Sequence, residues 1–439
     1  MKFSRVGFGC EGECCKKNVM YRVWLNFALI LIAGFGTVPA HGQDAAFKKA
    51  FGAYRAGDLS QARDILSSVN TKERSALDFS LLGSIEFQER QFAEAEHDLK
   101  SALSIEPALV GTRFMLGNVL EAEGNSSAAK EAFKQVLARN SQHLESLLAL
   151  SALDVQSRQF ESAAVLLERG QKIAPEDIRI LLSLARVRHL QGHREAALAL
   201  LLNAKKLRPD DVEVLYAVGV LCLEMDLIKD ATANLERAVQ MAPADQRARY
   251  ALASARVANR DLAGAISLYQ DLLKATPNDA QTNYALGAAY FLQNDNEDAK
   301  RYFEQSMKIQ PQQVESLYYL GVIAGQEGNN SKSIDLLKTV IARSFNHPRA
   351  HIALGMEYRT AGLLQDAKRE LETAIRLAPD SQKAHYQLGL VLMKLHEQKQ
   401  GKIELEMVER LKDPSGEKVA WQLAPLPDQP STTVVGKGR

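Results

Sequence analysis

The sequence predicts an all-α solenoid of about eleven helix–turn–helix units, each 34 residues long. Three observations carry that reading. Pro175, Pro209, Pro243, Pro277 and Pro311 stand 34 residues apart. Small and large side chains recur in columns at the same spacing. Turn formers fall between two stretches of helical periodicity in each unit. The same ruler reaches back to Pro107 and forward to Pro379, and residues 76–415 divide into ten units without insertion or deletion.

The first element, residues 1–42, reads as an address. An apolar run at 23–38 follows Lys16, Lys17 and Arg22 and precedes Ala40 and Gly42. A basic stretch, a short apolar run and small residues after it make a secretory signal. The run is shorter than the ~20 residues a spanning helix needs. The expected outcome is cleavage near Ala40–Gly42 and export to the periplasm, the cell envelope or the medium. The alternative is a retained single-pass anchor. A start at Met20 makes a more compact signal, so residues 1–19 read as a start-site artefact. Any peptide from them in the precursor would overturn that reading.

Residues 43–75 form an irregular first unit. Counting places from the first residue of each unit, with proline at place 32, Gly57, Leu59, Ala62 and Leu66 take places 15, 17, 20 and 24. The register is one residue off, which predicts a shortened turn near Asn70–Ser75.

The ten units of 76–415 share their columns. Place 7 is Leu82, Leu116, Leu150 and their successors, and place 8 is small, as in Gly83, Gly117, Gly219 and Gly355. Place 20 is mostly alanine (Ala95, Ala129, Ala163), and place 24 is large (Leu99, Phe133, Tyr269, Phe303). Helical periodicity covers places 1–14 and 15–30. Small residues let the two helices approach, and large ones fill the space beside the crossing. Proline at 32 stops the second helix. The last second helix carries many charges, as an uncovered terminal unit requires. The tail 416–439 holds Pro425, Pro427 and Pro430 with no periodicity and reads as disordered.

Composition narrows the function. Apolar residues are 46% and charged residues 24%, ordinary for a globular chain. Lys plus Arg number 54 against 53 Asp plus Glu, which argues against a dedicated nucleic-acid binder. Four cysteines exclude a disulfide-dense scaffold, and Cys10, Cys14 and Cys15 lack the second half of a zinc pattern. Removal of the leader leaves Cys222 alone. No HExxH, GxSxG or phosphate loop occurs, and Gly7, Gly9 and Gly12 lack the flanking strand of a dinucleotide loop. Neither a cofactor nor catalysis is expected.

The 34-residue period with its L-G…A…F/L…P columns resembles the tetratricopeptide-repeat family over about 85% of the chain. Departures are Ser151 and Asp154 in the unit 144–177, and Phe345 in place of a proline. The resemblance implies a right-handed superhelix whose concave groove is lined by places 2, 5, 9, 12 and 13 of the first helices. Place 5 holds Phe114, Tyr216, Tyr250, Tyr284, Tyr318 and Tyr386. A tyrosine there either wedges between units or grips a partner segment. Arg349, Arg359, Lys383 and Lys394 take groove places in the last two units, either solvated or receiving an acidic segment or a C-terminal carboxylate. Relatives that clamp a carboxylate carry Asn at place 9, as Asn118 does, but Phe114 stands where their Lys belongs. That mode is disfavoured. His347, His351 and His385 fall close together by register, yet no Cys or acidic ligand completes a metal set by spacing. Asn125 and Asn329 begin N-x-S sequons in turns.

The function expected is a non-enzymatic protein–protein interaction scaffold that holds a partner polypeptide in the groove. No nucleic acid is expected, and no membrane beyond residues 23–38. Alternatives are a membrane-tethered assembly factor for envelope, secretion or polysaccharide-export machinery, and a regulatory or substrate-docking subunit of an enzyme complex.

Overall fold

A computed structural model describes residues 43–411. The leader at 1–42 and the tail at 416–439 lie outside the described residues. The described chain holds twenty-two α-helices, one 3-10 turn and no strand. It falls into two compact units, one ending at Pro209 and one beginning at Asp210.

The first compact unit runs α1 (Gln43–Arg55), α2 (Leu59–Ser67), the 3-10 turn (Thr71–Glu73), α3 (Ala76–Gln88), α4 (Phe92–Ile105), α5 (Val110–Ala122), α6 (Ser126–Arg139), α7 (Leu144–Gln156), α8 (Phe160–Ile173), α9 (Ile178–Leu190) and α10 (Arg194–Leu207). The second runs α11 (Val212–Glu224), α12 (Ile228–Met241), α13 (Gln246–Ala258), α14 (Leu262–Ala275), α15 (Ala280–Leu292), α16 (Asn296–Ile309), α17 (Val314–Gln326), α18 (Asn330–Arg343), α19 (Pro348–Thr360), α20 (Leu364–Leu377), α21 (Gln382–Lys394) and α22 (Gln398–Arg410). Odd and even helices pair as hairpins. Within each compact unit every hairpin packs on the next, and successive odd helices also touch one another, as α19 touches α21. In each compact unit, therefore, the odd helices make one layer and the even helices a second.

Each odd helix after α1 covers places 1–13 and each even helix from α4 to α20 covers places 17–30. The sequence placed the boundary at 14 and 15. The structure corrects this to a three-residue turn, because place 15 takes a left-handed backbone in every pair. Gly124, Gly192, Gly328 and Gly362 do so with φ of 77–85°, and Arg90, Arg158, Asp226, Arg260, Asn294 and His396 with φ of 59–65°. That conformation ends a helix and turns the chain. The place-16 amide then donates back to the place-11 carbonyl, as from Gln91 to Glu86 at 2.8 Å and from Asn125 to Leu120 at 2.8 Å. Asn125, Asp261, Asp295 and Asn329, at place 16, cap the following helix with their side chains.

The small–large columns meet in space. A Cβ added at Gly83 would lie 2.6 Å from Leu99, one at Gly117 2.5 Å from Phe133, and one at Gly219 2.5 Å from Leu235. Place 8 thus presses directly on place 24 of its own hairpin, and only glycine lets the pair close so far. Ala95, Ala129, Ala163 and Ala265, at place 20, are fully buried at the same crossing.

The first hairpin follows its expected register at Gly57, which has φ of 85°, and at Ala62 and Leu66, both fully buried. Its join differs. Instead of a shortened turn, α2 stops after nine residues and the 3-10 turn fills the link before Ser75 caps α3.

Candidate partner-binding face

The face in question is the stripe at places 2, 5, 9, 12 and 13 of the odd helices. In α11 to α17 this stripe is closed at place 5. Tyr216, Tyr250, Tyr284 and Tyr318 are buried, none more than 8% exposed. Of the two roles weighed for a place-5 tyrosine, wedging is the one this burial fits. Place 5 points back into the hairpin, where Tyr250 meets Tyr269 with ring centroids 5.3 Å apart and Tyr284 meets Phe303 at 5.8 Å. Phe114 does the same in the first compact unit, 5.5 Å from Phe133. Burial pushes the hydroxyls of Tyr250 and Tyr284 well above the ordinary tyrosine range.

Place 2 of the next hairpin closes the lid. The Arg247 guanidinium lies 5.3 Å from the centre of the Tyr216 ring and donates to Glu213 at 2.6 Å and Asp245 at 3.0 Å. Gln281 donates to the Tyr250 hydroxyl at 3.4 Å. Arg349 lies 5.0 Å from the Tyr318 ring centre and donates to the Tyr319 hydroxyl at 3.2 Å and to Glu315 at 2.6 Å. Burial alone would raise the Glu315 carboxyl; His347 and Arg349 overcome it and hold the group below its usual range. The Glu–Arg pairing joins place 2 of one hairpin to place 2 of the next. Arg349, expected as a groove cation, is thus committed to its own chain.

The remaining candidates divide. Asn118, on α5, is half-buried in the first compact unit. It does not join the tyrosines, which belong to the second. At α19 Ile352 still closes place 5, and in α21 the stripe stays open. Tyr386 is 46% exposed and Met393 37%, because no described helix follows to supply a place-2 lid. Lys383 and Lys394 are exposed and Arg359 is partly so. None of the three cations has a hydrogen-bond or ion-pair partner among the described residues.

The histidines are structural clasps. His351 Nδ1 lies 2.6 Å from Glu370 and Nε2 2.9 Å from the Phe345 carbonyl. His385 repeats the arrangement with Glu404 at 2.5 Å and the Pro379 carbonyl at 2.9 Å. At His351, two acceptors on one ring favour the doubly protonated imidazolium. Burial opposes that charge at His351, but the Glu370 carboxylate outweighs it and raises the imidazole above its ordinary value. His347 instead caps α19, its Nδ1 accepting from the Ala350 amide at 3.0 Å. No group of three His, Cys, Asp or Glu among the described residues is placed to hold a metal ion. The two glutamates were missed from the sequence, although a His at place 4 and a Glu at place 23 recur together 34 residues apart.

Repeated hairpins of this length, with a layered small–large crossing, define a helical-repeat scaffold. Three family models, each described as tetratricopeptide repeat, match residues 86–153 and 223–289, residues 280–313, and residues 352–397. The chain belongs to the tetratricopeptide-repeat family, whose members are typically protein-interaction scaffolds. Among solved structures it is similar to the APC/C hetero-tetramer Cut9–Hcn1, with 14% identity, 91% of this chain and 98% of that chain covered, and a TM-score of 0.49. It is similar to yeast Tom70, with 13% identity, 84% and 92% covered, and a TM-score of 0.45. It is also similar to YrrB, titled a TPR protein with an unusual peptide-binding site, with 18% identity, 43% and 98% covered, and a TM-score of 0.38. No curated protein matches the sequence.

Proposed function

We propose that the chain is a non-enzymatic scaffold, exported from the cytoplasm, that holds a partner polypeptide on its odd-helix layer. The observation that carries this reading is the change at α21. The tyrosine column is sealed through Tyr318 and opens at Tyr386, with an apolar ring and Met393 presented beside cations that have no partner among the described residues. A flat aromatic face and a flexible thioether suit an adaptable polypeptide contact. Export rests on the basic and apolar pattern before Ala40.

The scaffold reading is tested with a photo-crosslinking residue at position 386 and a control at position 202, where Leu202 is 49% exposed on α10. Polypeptide adducts from position 386 alone support it. Equal adducts from both positions, or none from 386, overturn it. A second reading, a membrane-tethered assembly factor, is favoured by the apolar run at 23–38. No described helix is long and apolar enough to cross a membrane, and the run itself lies outside the described residues. N-terminal sequencing after membrane fractionation separates the two: a new terminus near Ala40–Gly42 in the soluble fraction supports export, and an intact leader in the membrane fraction supports the tether.

A further inference from the structure

The odd-helix stripe changes its charge at α19. In α11 to α17 its acidic and basic side chains answer one another, Glu213 with Arg247, and Glu315 with Arg349 across to α19. Beyond that point, places 2, 5, 9, 12 and 13 of α19 and α21 contain no Asp or Glu. They contain Arg359, Lys383 and Lys394, and these three have no partner among the described residues. Among the carboxylates of the last two hairpins, Glu370 is held by His351, Glu397 by Lys368, Glu404 by His385 and Asp366 by Arg369. Because α19 and α21 pack directly, their stripes adjoin. On α21, Lys383, Tyr386, Met393 and Lys394 share one side by helical spacing.

We propose that this face seats an extended acidic segment of a partner polypeptide, its carboxylates on Arg359, Lys383 and Lys394 and an apolar side chain on Tyr386 and Met393. The proposal rests on the scaffold reading and names the partner's chemistry. Surplus positive charge with no internal answer is complementary to negative charge on the partner. The rise along α21 from Lys383 to Lys394 is about 17 Å, which about five extended residues span. The apolar pair beside the cations gives the segment a register that charge alone does not supply.

The test uses the full chain and fluorescence anisotropy with three labelled hexapeptides. One alternates Glu and Asp around a central Phe and has an amidated terminus. The second carries Lys at each acidic position. The third replaces the acids with Ser and keeps a free C-terminal carboxylate. The acidic peptide is expected to bind, more weakly as salt rises, and about tenfold or more weakly to the Lys383→Glu/Lys394→Glu variant. The Lys peptide is expected not to bind. Both lysines are exposed, so unchanged circular dichroism confirms that the variant folds.

Equal binding of acidic and Lys peptides overturns the proposal, as does undiminished binding of the acidic peptide by the reversed variant. Binding of the Ser peptide alone overturns it in favour of a terminal-carboxylate site. A self-association seen by sedimentation and abolished by the reversal overturns it in favour of a second copy as occupant. Adducts at position 386 that persist in the reversed variant overturn the acidic partner while leaving the scaffold reading intact. Absence of adducts in the unsubstituted chain is the separate failure of that reading.

Discussion

Tyr284 and Tyr386 occupy the same place in hairpins of one sequence pattern, yet one is 1% exposed and the other 46%. The residue type is identical; the neighbours are not. Tyr284 is pressed by Phe303 from its own hairpin and by Tyr319 from the next, with ring centroids 5.8 and 6.3 Å away. Tyr386 has no described hairpin after it. The lesson is that a repeat column assigns a position, and the following unit decides whether that position is core or surface.

The sharpest way to break the comparison is to make the same change at both ends of it. Tyr284→Ala leaves a large void in a closed interior and is expected to cost about 3–5 kcal/mol. Tyr386→Ala removes an exposed ring and is expected to stay within ~0.5 kcal/mol. Urea denaturation midpoints measure both, and similar shifts would abolish the distinction between sealed and open regions.

A smaller effect is expected at place 2. Arg349→Ala strips Glu315 of its guanidinium while both side chains are partly exposed, so the loss is about 1–2 kcal/mol rather than the larger figure for a fully buried pair. Lys383→Ala, at the same place one hairpin later, is expected to change stability by less than ~0.5 kcal/mol. Thermal unfolding of the two variants side by side is the measurement. A larger effect at Lys383 would mean that it has a partner after all.

A pH-dependent effect sharpens the account of the last hairpins. The folded chain holds His351 above its ordinary value through Glu370. Such a group stabilises fully below the unfolded value near 6.5, and its contribution is lost as pH rises through the folded value. Wild type is therefore expected to exceed His351→Gln by on the order of 1–2 kcal/mol at pH 5.5, a gap that shrinks toward pH 9. Denaturation at the two pH values checks it, and a gap that widens with pH would reverse the assignment.

The fold was legible because its decisive contact is short in sequence. Gly117 and Phe133 are in one hairpin, so their pairing appears as two columns at constant spacing. The state of place 5 was not legible in the same way. Whether Tyr250 is buried depends on the size of Tyr269 within its hairpin and on Gln281 in the next, which no single column displays. The Glu315–Arg349 pair was visible as opposite charges 34 residues apart in the place-2 column, and reading that column by sign would have removed Arg349 from the groove. Reading places 4 and 23 together would have found the His–Glu clasps. Lys383 and Lys394 were named from the sequence, and the structure adds that they have no partner among the described residues.

The left-handed residue at place 15 carries a consequence for how such a chain can grow. One backbone reversal per hairpin, always at the same position, makes molecular size a count and not a continuum. Excising residues 246–279 would bring Asp245, which caps α13, directly before Ala280, a residue that now follows the equivalent cap Asp279. The junction would be indistinguishable from its neighbours, whereas losing ten residues at the same spot would throw every later helix out of phase.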